Sequence, residues 1–185
     1  MQENPGVCRD FFCGILKDFN ILLFKISVVN TYLCSSKSGE LMFSKACEYG
    51  IRATLYIASK SLDDVRVSLR DIAKEIDSPV AFTAKIMQQV SKSGIVKSMK
   101  GPTGGFEIAR ADLKKIKLAS IVDAIDGDSI YRGCGLGLKE CDASHPCPVH
   151  DQFVAIRDEL SHMLNTTSLY EVAAGLKDGT TFLKR

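Results

Sequence analysis

The sequence predicts a mainly helical fold carrying one small β-hairpin, and three observations predict it. Apolar residues between Met42 and Gly94 recur at three- and four-residue steps. The stretch "GIVKSMKGPTGGFEIAR" then alternates around a glycine-rich turn. A second amphipathic stretch, "DQFVAIRDELSHMLNTTSLYEVA", lies towards the end of the chain. At 185 residues, 45% hydrophobic and 25% charged, the chain has room for one domain with an attached arm and the composition of a soluble globular protein.

Residues 1–41 read differently from the rest. They hold neither helical nor strand periodicity, and "CSSKSGEL" reads as a flexible end. The expectation is an N-terminal extension, translated from a start codon upstream of Met42. "MQENPGVCRD" carries Glu3 and Asp10 where a secretory signal would be basic. The apolar run after it is interrupted by Lys17, Asp18 and Lys25, whereas a membrane span needs about 20 consecutive apolar residues. No membrane association is expected.

From Met42 the elements follow in order. In "ACEYGIRATLYIASK" Tyr49, Ala53, Leu55, Tyr56 and Ile57 give an amphipathic helix. "SLRDIAKEI" gives a second, with Ser68 as N-cap, Asp71 three residues on, and Leu69, Ile72, Ala73 and Ile76 on one face. "DSP" is a break, with Ser78 as N-cap and Pro79 at the first helical position. "VAFTAKIMQQVSKSG" is the third helix, burying Phe82, Ile86 and Val90 and ending at Gly94. Thr83, Lys85, Gln88 and Gln89 are expected on its outward side. Two helices across a tight break form a helix-turn-helix pattern. The hairpin after them makes a wing, with strand residues Ile95, Val96, Phe106 and Ile108. "KGPTGG" is no nucleotide-phosphate loop, because no Lys-Ser or Lys-Thr pair follows and no helix opens after it. "LKKIKLASIVDAIDGD" is a further helix, with Leu118, Ile121, Val122 and Ile125 packing on the core and Gly127 closing it. The final stretch reads as one long helix with the stripe Phe153, Ile156, Leu160, Met163 and Leu164, and His162 on its polar side.

Formal net charge is only +2, so the global balance points to no partner. Between Ser78 and Arg110, however, Lys85, Lys92, Lys97, Lys100 and Arg110 face the single acid Glu107. A local basic stripe beside a glycine-rich tip is the footprint of a phosphate-binding surface.

Seven cysteines are an odd count for a disulfide framework. With no secretory signal, a reducing cytoplasm is expected, where clustered cysteines serve as metal ligands or redox groups. Three of them lie in "CGLGLKECDASHPCPVH": Cys134, six residues, Cys141, five residues, Cys147, two residues, His150. Structural zinc sites place ligand pairs two to four residues apart, and here only Cys147 and His150 are that close. The wide gaps and nearby Gly133, Gly135 and Gly137 suit a loop wrapping a larger inorganic object. Thiolates hold iron–sulfur clusters and zinc alike, so the chemistry leaves both open.

The segments "EYGIRATLYIA" and "IAKEIDSPVAFTAKIMQQVSKSGIVKSMKGPTGGFEIAR", with the downstream cysteine triplet, resemble the Rrf2 family of winged-helix transcription factors over about residues 42–175. The resemblance implies a homodimer on a palindromic operator in double-stranded DNA, with Pro79–Ser91 as recognition helix. It divides the chain into an extension (1–41), a winged helix-turn-helix with its packed helix (42–128), a cysteine loop (129–150), a long dimerisation helix with a following turn (151–175) and a tail (176–185). Lys85, Lys92, Lys97 and Lys100 are expected on phosphates, with Ser78, Thr103 and Gly104 near the backbone. Thr83 and Gln88 are expected at base edges, since glutamine can bond adenine bidentately.

Cys134, Cys141 and Cys147 match, in order, the cysteines with which IscR-like and NsrR-like members hold an iron–sulfur cluster. The spacing departs slightly from that of the best-known members, and many relatives lack the cysteines. His150 matches the IscR-like fourth ligand of a two-iron cluster. Glu48 falls where NsrR-like members place an acidic ligand to a four-iron cluster, and is alternatively a surface or salt-bridging carboxylate. Zinc in place of the cluster, and metal-free thiol sensing of oxidants, remain the alternatives. An enzyme is not expected, because no nucleophile, base and oxyanion set can be read. A protein-binding adaptor fits the basic wing poorly.

Overall fold

The computed structural model describes residues 42–101 and 103–183. The expectations for residues 1–41 lie outside the described residues. Ser44 opens the first helix, α1 (Lys45–Ser61), by accepting the Cys47 N–H at 3.1 Å. Its own N–H donates to the Asp126 carboxylate at 2.9 Å, tying the start of α1 to the end of a later helix. Ser68 caps α2 (Leu69–Glu75) by accepting the Asp71 N–H at 3.2 Å. The chain turns through Asp77 at φ 52° into α3 (Val80–Lys92).

The end of α3 shows why Gly94 stands where it does. The Ile95 N–H reaches the Val90 carbonyl at 3.3 Å and the Gly94 N–H reaches Ser91 at 3.1 Å, with Gly94 at φ 75°. This is the Schellman arrangement, which needs a left-handed residue at that point. It turns the chain back so that Ile95 and Val96 are buried before the wing begins.

Strands β1 (Lys97–Met99) and β2 (Gly105–Glu107) pair antiparallel with Ser98 opposite Phe106. The strands lie farther out along the hairpin than the sequence pattern placed them, and Ile95, Val96 and Ile108 anchor its base in the core. A third segment joins: Val67 and Phe106 exchange two backbone hydrogen bonds, at 3.1 and 2.9 Å. A side chain at Gly105, which sits at φ 154°, would meet the Val67 carbonyl oxygen at 2.8 Å, so glycine permits this close approach. The Ile108 N–H donates to the buried Ser61 hydroxyl at 3.0 Å, fixing the wing to the end of α1.

Helix α4 (Leu118–Ile125) lies against α1, and α5 (Ser129–Arg132) is a single turn. The long final helix expected from the sequence is two helices, α6 (His150–Thr166) and α7 (Leu169–Lys177). Ser168 and Glu171 form a capping box that starts α7 afresh, each satisfying the other's backbone N–H. The Leu118 N–H bonds Thr167 and the Leu169 N–H bonds Ile116, at 3.1 and 3.0 Å, so the break is stitched to the chain ahead of α4. Residues 169–177 form a separate helix that packs on α1. Ile57, Ile72, Ile86, Met87, Leu113, Ile121 and Leu169 fill one core. A smaller cluster of Cys47, Ala119, Val122 and Leu164 holds the end of α6 to α4.

Candidate nucleic-acid interface and cysteine site

The outward face of α3 carries Val80, Ala81, Lys85, Gln88, Gln89 and Lys92, all exposed. Thr83 is not among them. It is fully buried, with its hydroxyl donating to the Pro79 carbonyl at 3.1 Å, and it shares the core face with Ile86, Met87 and Val90. A threonine that satisfies its hydroxyl on the preceding turn can be buried among apolar residues. Thr83 is therefore withdrawn as a base-reading residue. Ser78 also moves: Pro79 is the N-cap, and the Ser78 hydroxyl oxygen is buried without a partner.

Lys97, Lys100 and Thr103 are exposed on the wing, and Gly104 closes its tip by donating to the Gly101 carbonyl at 2.9 Å. A Cβ on Gly104 would stand 2.3 Å from the Met99 carbonyl oxygen, so the tip closes tightly only around glycine. Arg66, which sequence periodicity did not single out, pairs with Glu107 at 2.6 Å and braces the wing from the third segment. That pairing also occupies the one acid within the basic stripe.

The cysteine site is partly assembled. The Cys141 sulfur lies 3.4 Å from His150 Nδ1, at the first residue of α6. Both terminal nitrogens of Arg157, on the same helix, reach that sulfur at 3.5 Å. The Arg157 guanidinium also donates to the Gly133 carbonyl, so one side chain grips both ends of the loop's first half. Arg157 was missed in the sequence because a lone arginine on an amphipathic helix has no distinguishing pattern. Gly135 packs on the Phe153 ring so closely that a Cβ there would lie 2.3 Å from it.

Backbone N–H groups of Leu136 and Leu138 at the Cys134 sulfur hold its thiol below the ordinary value, and the Arg157 charge adds to this. The His150 N–H bonds the Cys147 carbonyl at 3.0 Å, which ties the last cysteine to the first turn of α6. His145 is exposed and pairs with Asp142. Cys47 behaves as a small hydrophobe: burial, assisted by Asp126, pushes its thiol up to about 12. Glu48 bonds Lys45 at 3.0 Å through one oxygen, while the other is buried without a partner.

Among the described residues no three Cys, His, Asp or Glu side chains gather around one point that could hold a metal ion. The donor types nevertheless fit a cluster or zinc: a thiol and an imidazole already in contact, a second thiol held towards thiolate, and a third at the start of α6. Among the described residues, no helix is long and apolar enough to cross a membrane.

Residues 43–175 match the family described as "Rrf2: Iron-dependent Transcriptional regulator". This chain belongs to the Rrf2 family. An HTH-type transcriptional regulator of Aquifex aeolicus is 31% identical over 134 residues, covering 71% of this chain and 91% of the relative. The regulator IscR of Yersinia pseudotuberculosis is 26% identical over 124 residues, 67% of this chain and 74% of IscR. Two solved structures share the fold. CymR, the global cysteine regulator of B. subtilis, superposes with a TM-score of 0.59 at 21% identity, covering 72% of this chain and 97% of CymR. IscR of T. potens gives 0.58 at 19% identity, with 78% and 95% covered. The Rrf2 winged helix thus matches the fold expected from the sequence, a mainly helical chain with a two-stranded wing.

Proposed function

We propose that this Rrf2 protein is a cytoplasmic, non-enzymatic transcriptional regulator that binds a palindromic operator as a homodimer, with affinity set by an iron–sulfur cluster. Cys134, Cys141, Cys147 and His150 would hold the cluster, Glu48 being the competing fourth ligand. The observation that carries the cluster reading is the contact between the Cys141 thiol and the His150 imidazole at 3.4 Å on a loop braced by Arg157. When bound, an iron–sulfur centre supplies a group whose oxidation state and integrity respond to the cell's chemistry.

The residues do the rest. His150 and Arg157 both stand on α6, so anything that changes how Cys141 is held bears directly on that helix. Helix α6 leaves Met163 43% exposed and Phe153, Ile156 and Leu160 only half-buried, a stripe suited to the same helix of a second subunit. A shift of α6 would alter the angle between the two DNA-reading units, and operator affinity would change by the free-energy difference between the two arrangements. On each unit, Lys85, Lys92, Lys97 and Lys100 neutralise phosphates, with Thr103 and Gly104 at the wing tip, and Gln88 reads a base edge.

Anaerobic purification followed by a visible spectrum with iron and sulfide analysis tests this directly. Protein with iron and sulfide that loses them on Cys141→Ser is the expected result. A colourless protein with no iron after reconstitution overturns the cluster, and zinc in its place supports the zinc-bound form. The lowered Cys134 thiol favours a second reading, direct oxidation of metal-free protein. Reversible loss of DNA binding in peroxide, without iron or sulfide, would establish that reading.

A further inference from the structure

Burial of Thr83 leaves the first turn of α3 without the base-reading side chain that the sequence pattern placed there. In a helix-turn-helix it is the N-terminal residues of the second helix that meet base edges. On α3 those positions are Val80, 46% exposed, and Ala81, also exposed, with half-buried Ala84 one turn on. No side chain among these three can donate or accept a hydrogen bond, and the first outward amide is Gln88, two turns along. Pro79 at the N-cap has no N–H to offer either.

In the major groove an apolar surface distinguishes one feature only, the C5-methyl group of thymine. Single exposed valines are ordinary on protein surfaces. This one differs because it stands at the reading end of the helix, beside two alanines small enough to admit a base edge, and ahead of Lys85 and Lys92. Resting on the regulator reading above, we infer that Val80 is a specificity-determining residue. It packs on a thymine methyl, and each operator half-site is rich in A·T pairs beneath the first turn of α3. Ala81 and Ala84 keep the approach open, and Gln88 supplies the hydrogen-bonded readout farther along the groove.

The test is a double-mutant cycle on protein and DNA. Full-length protein, purified anaerobically, selects duplexes from a randomised palindromic library, and the enriched thymines are replaced one at a time by deoxyuracil, which lacks the methyl. At one thymine per half-site the replacement is expected to weaken wild-type binding about fourfold per methyl lost. Val80→Ala is expected to bind the thymine duplex about as weakly as wild type binds the uracil duplex, and to be indifferent to the replacement. Because Val80 is exposed and alanine favours helix, the variant is expected to melt as wild type does. Equal uracil losses in both proteins, or enriched half-sites in which no thymine methyl matters, overturn the role of Val80 and leave the regulator reading standing. Failure to select or bind any duplex overturns both.

Discussion

Helices α3 and α6 are similar in length, 13 and 17 residues, yet α3 buries Thr83, Ile86, Met87 and Val90 while α6 buries only Leu164. Helix α3 buries its apolar face within its own chain, packed against α1 and α2. Helix α6 leaves most of its apolar stripe half-covered, and the loop before it brings two donors together but not three. An element finished within its own chain serves as a scaffold, with its outward face free to read a partner. An element left unfinished is completed by something else, here the proposed second subunit on one side and the proposed cluster on the other. The contrast separates a packed core around α1–α3 from a half-covered stretch between Gly133 and Thr166.

Truncating one isoleucine on each helix is the strongest way to break this comparison. Ile86→Ala is expected to lower unfolding free energy by about 2–5 kcal/mol, read from the denaturant midpoint and unchanged by protein concentration. Ile156→Ala is expected to act mainly through assembly, so that its cost shrinks as protein concentration falls towards dissociation. Equal, concentration-independent losses would show that α6 is as self-contained as α3. Next in size is Leu160→Asp, which places a charge in the stripe. It is expected to raise the dimer dissociation constant roughly thirtyfold or more by sedimentation, the scale of one interface hot spot. Preservation of the wild-type sedimentation profile would remove α6 from the interface.

The difference between the two helices also marks how far the sequence could be read. Periodicity located α1 to α4 because each buries a face against the same core, and apolar spacing records that burial directly. Thr83, expected on the outward side with Lys85, Gln88 and Gln89, is instead buried. Its position, three and four residues before Ile86 and Met87, lies on the core face. The break between α6 and α7 was legible in principle, since Ser168 and Glu171 stand three apart before an apolar run, the capping-box signature. Cysteine spacing named candidate ligands but not which would meet, because loop conformation depends on contacts such as Arg157 with Gly133 that no local pattern encodes.

The capping box itself gives a smaller effect on the completed side of the molecule. Ser168→Ala is expected to cost about 1 kcal/mol, measured by thermal or denaturant unfolding. The backbone N–H of Ser168 holds the Glu171 carboxyl below its ordinary value, with the Ser168 hydroxyl adding to it. A depressed folded pKa contributes stability that is present above the unfolded value, and lost as pH falls through the folded one. Glu171→Gln should therefore lower stability above the unfolded pKa and flatten the acid limb, so that variant and wild type converge at low pH. An unaltered acid limb would mean that α7 is held by burial of Leu169 and Ala173 alone.

The smallest expected effect concerns the wing, where the completed half faces the proposed operator. Lys100 is exposed beside the tip that Gly104 closes, so its charge is free for a phosphate and is not engaged in packing. A phosphate contact is independent of sequence, because the backbone is the same under every base pair. Lys100→Ala should therefore weaken binding to operator and unrelated duplexes alike, and lower the slope of log affinity against log salt by about one unit. One unit of slope corresponds to roughly a fourfold change in relative affinity between 50 and 200 mM salt. Titrations of two unrelated duplexes across that range distinguish the cases. A loss confined to the operator with an unchanged slope would make Lys100 a base-reading residue, and would move part of the sequence readout from α3 to the wing.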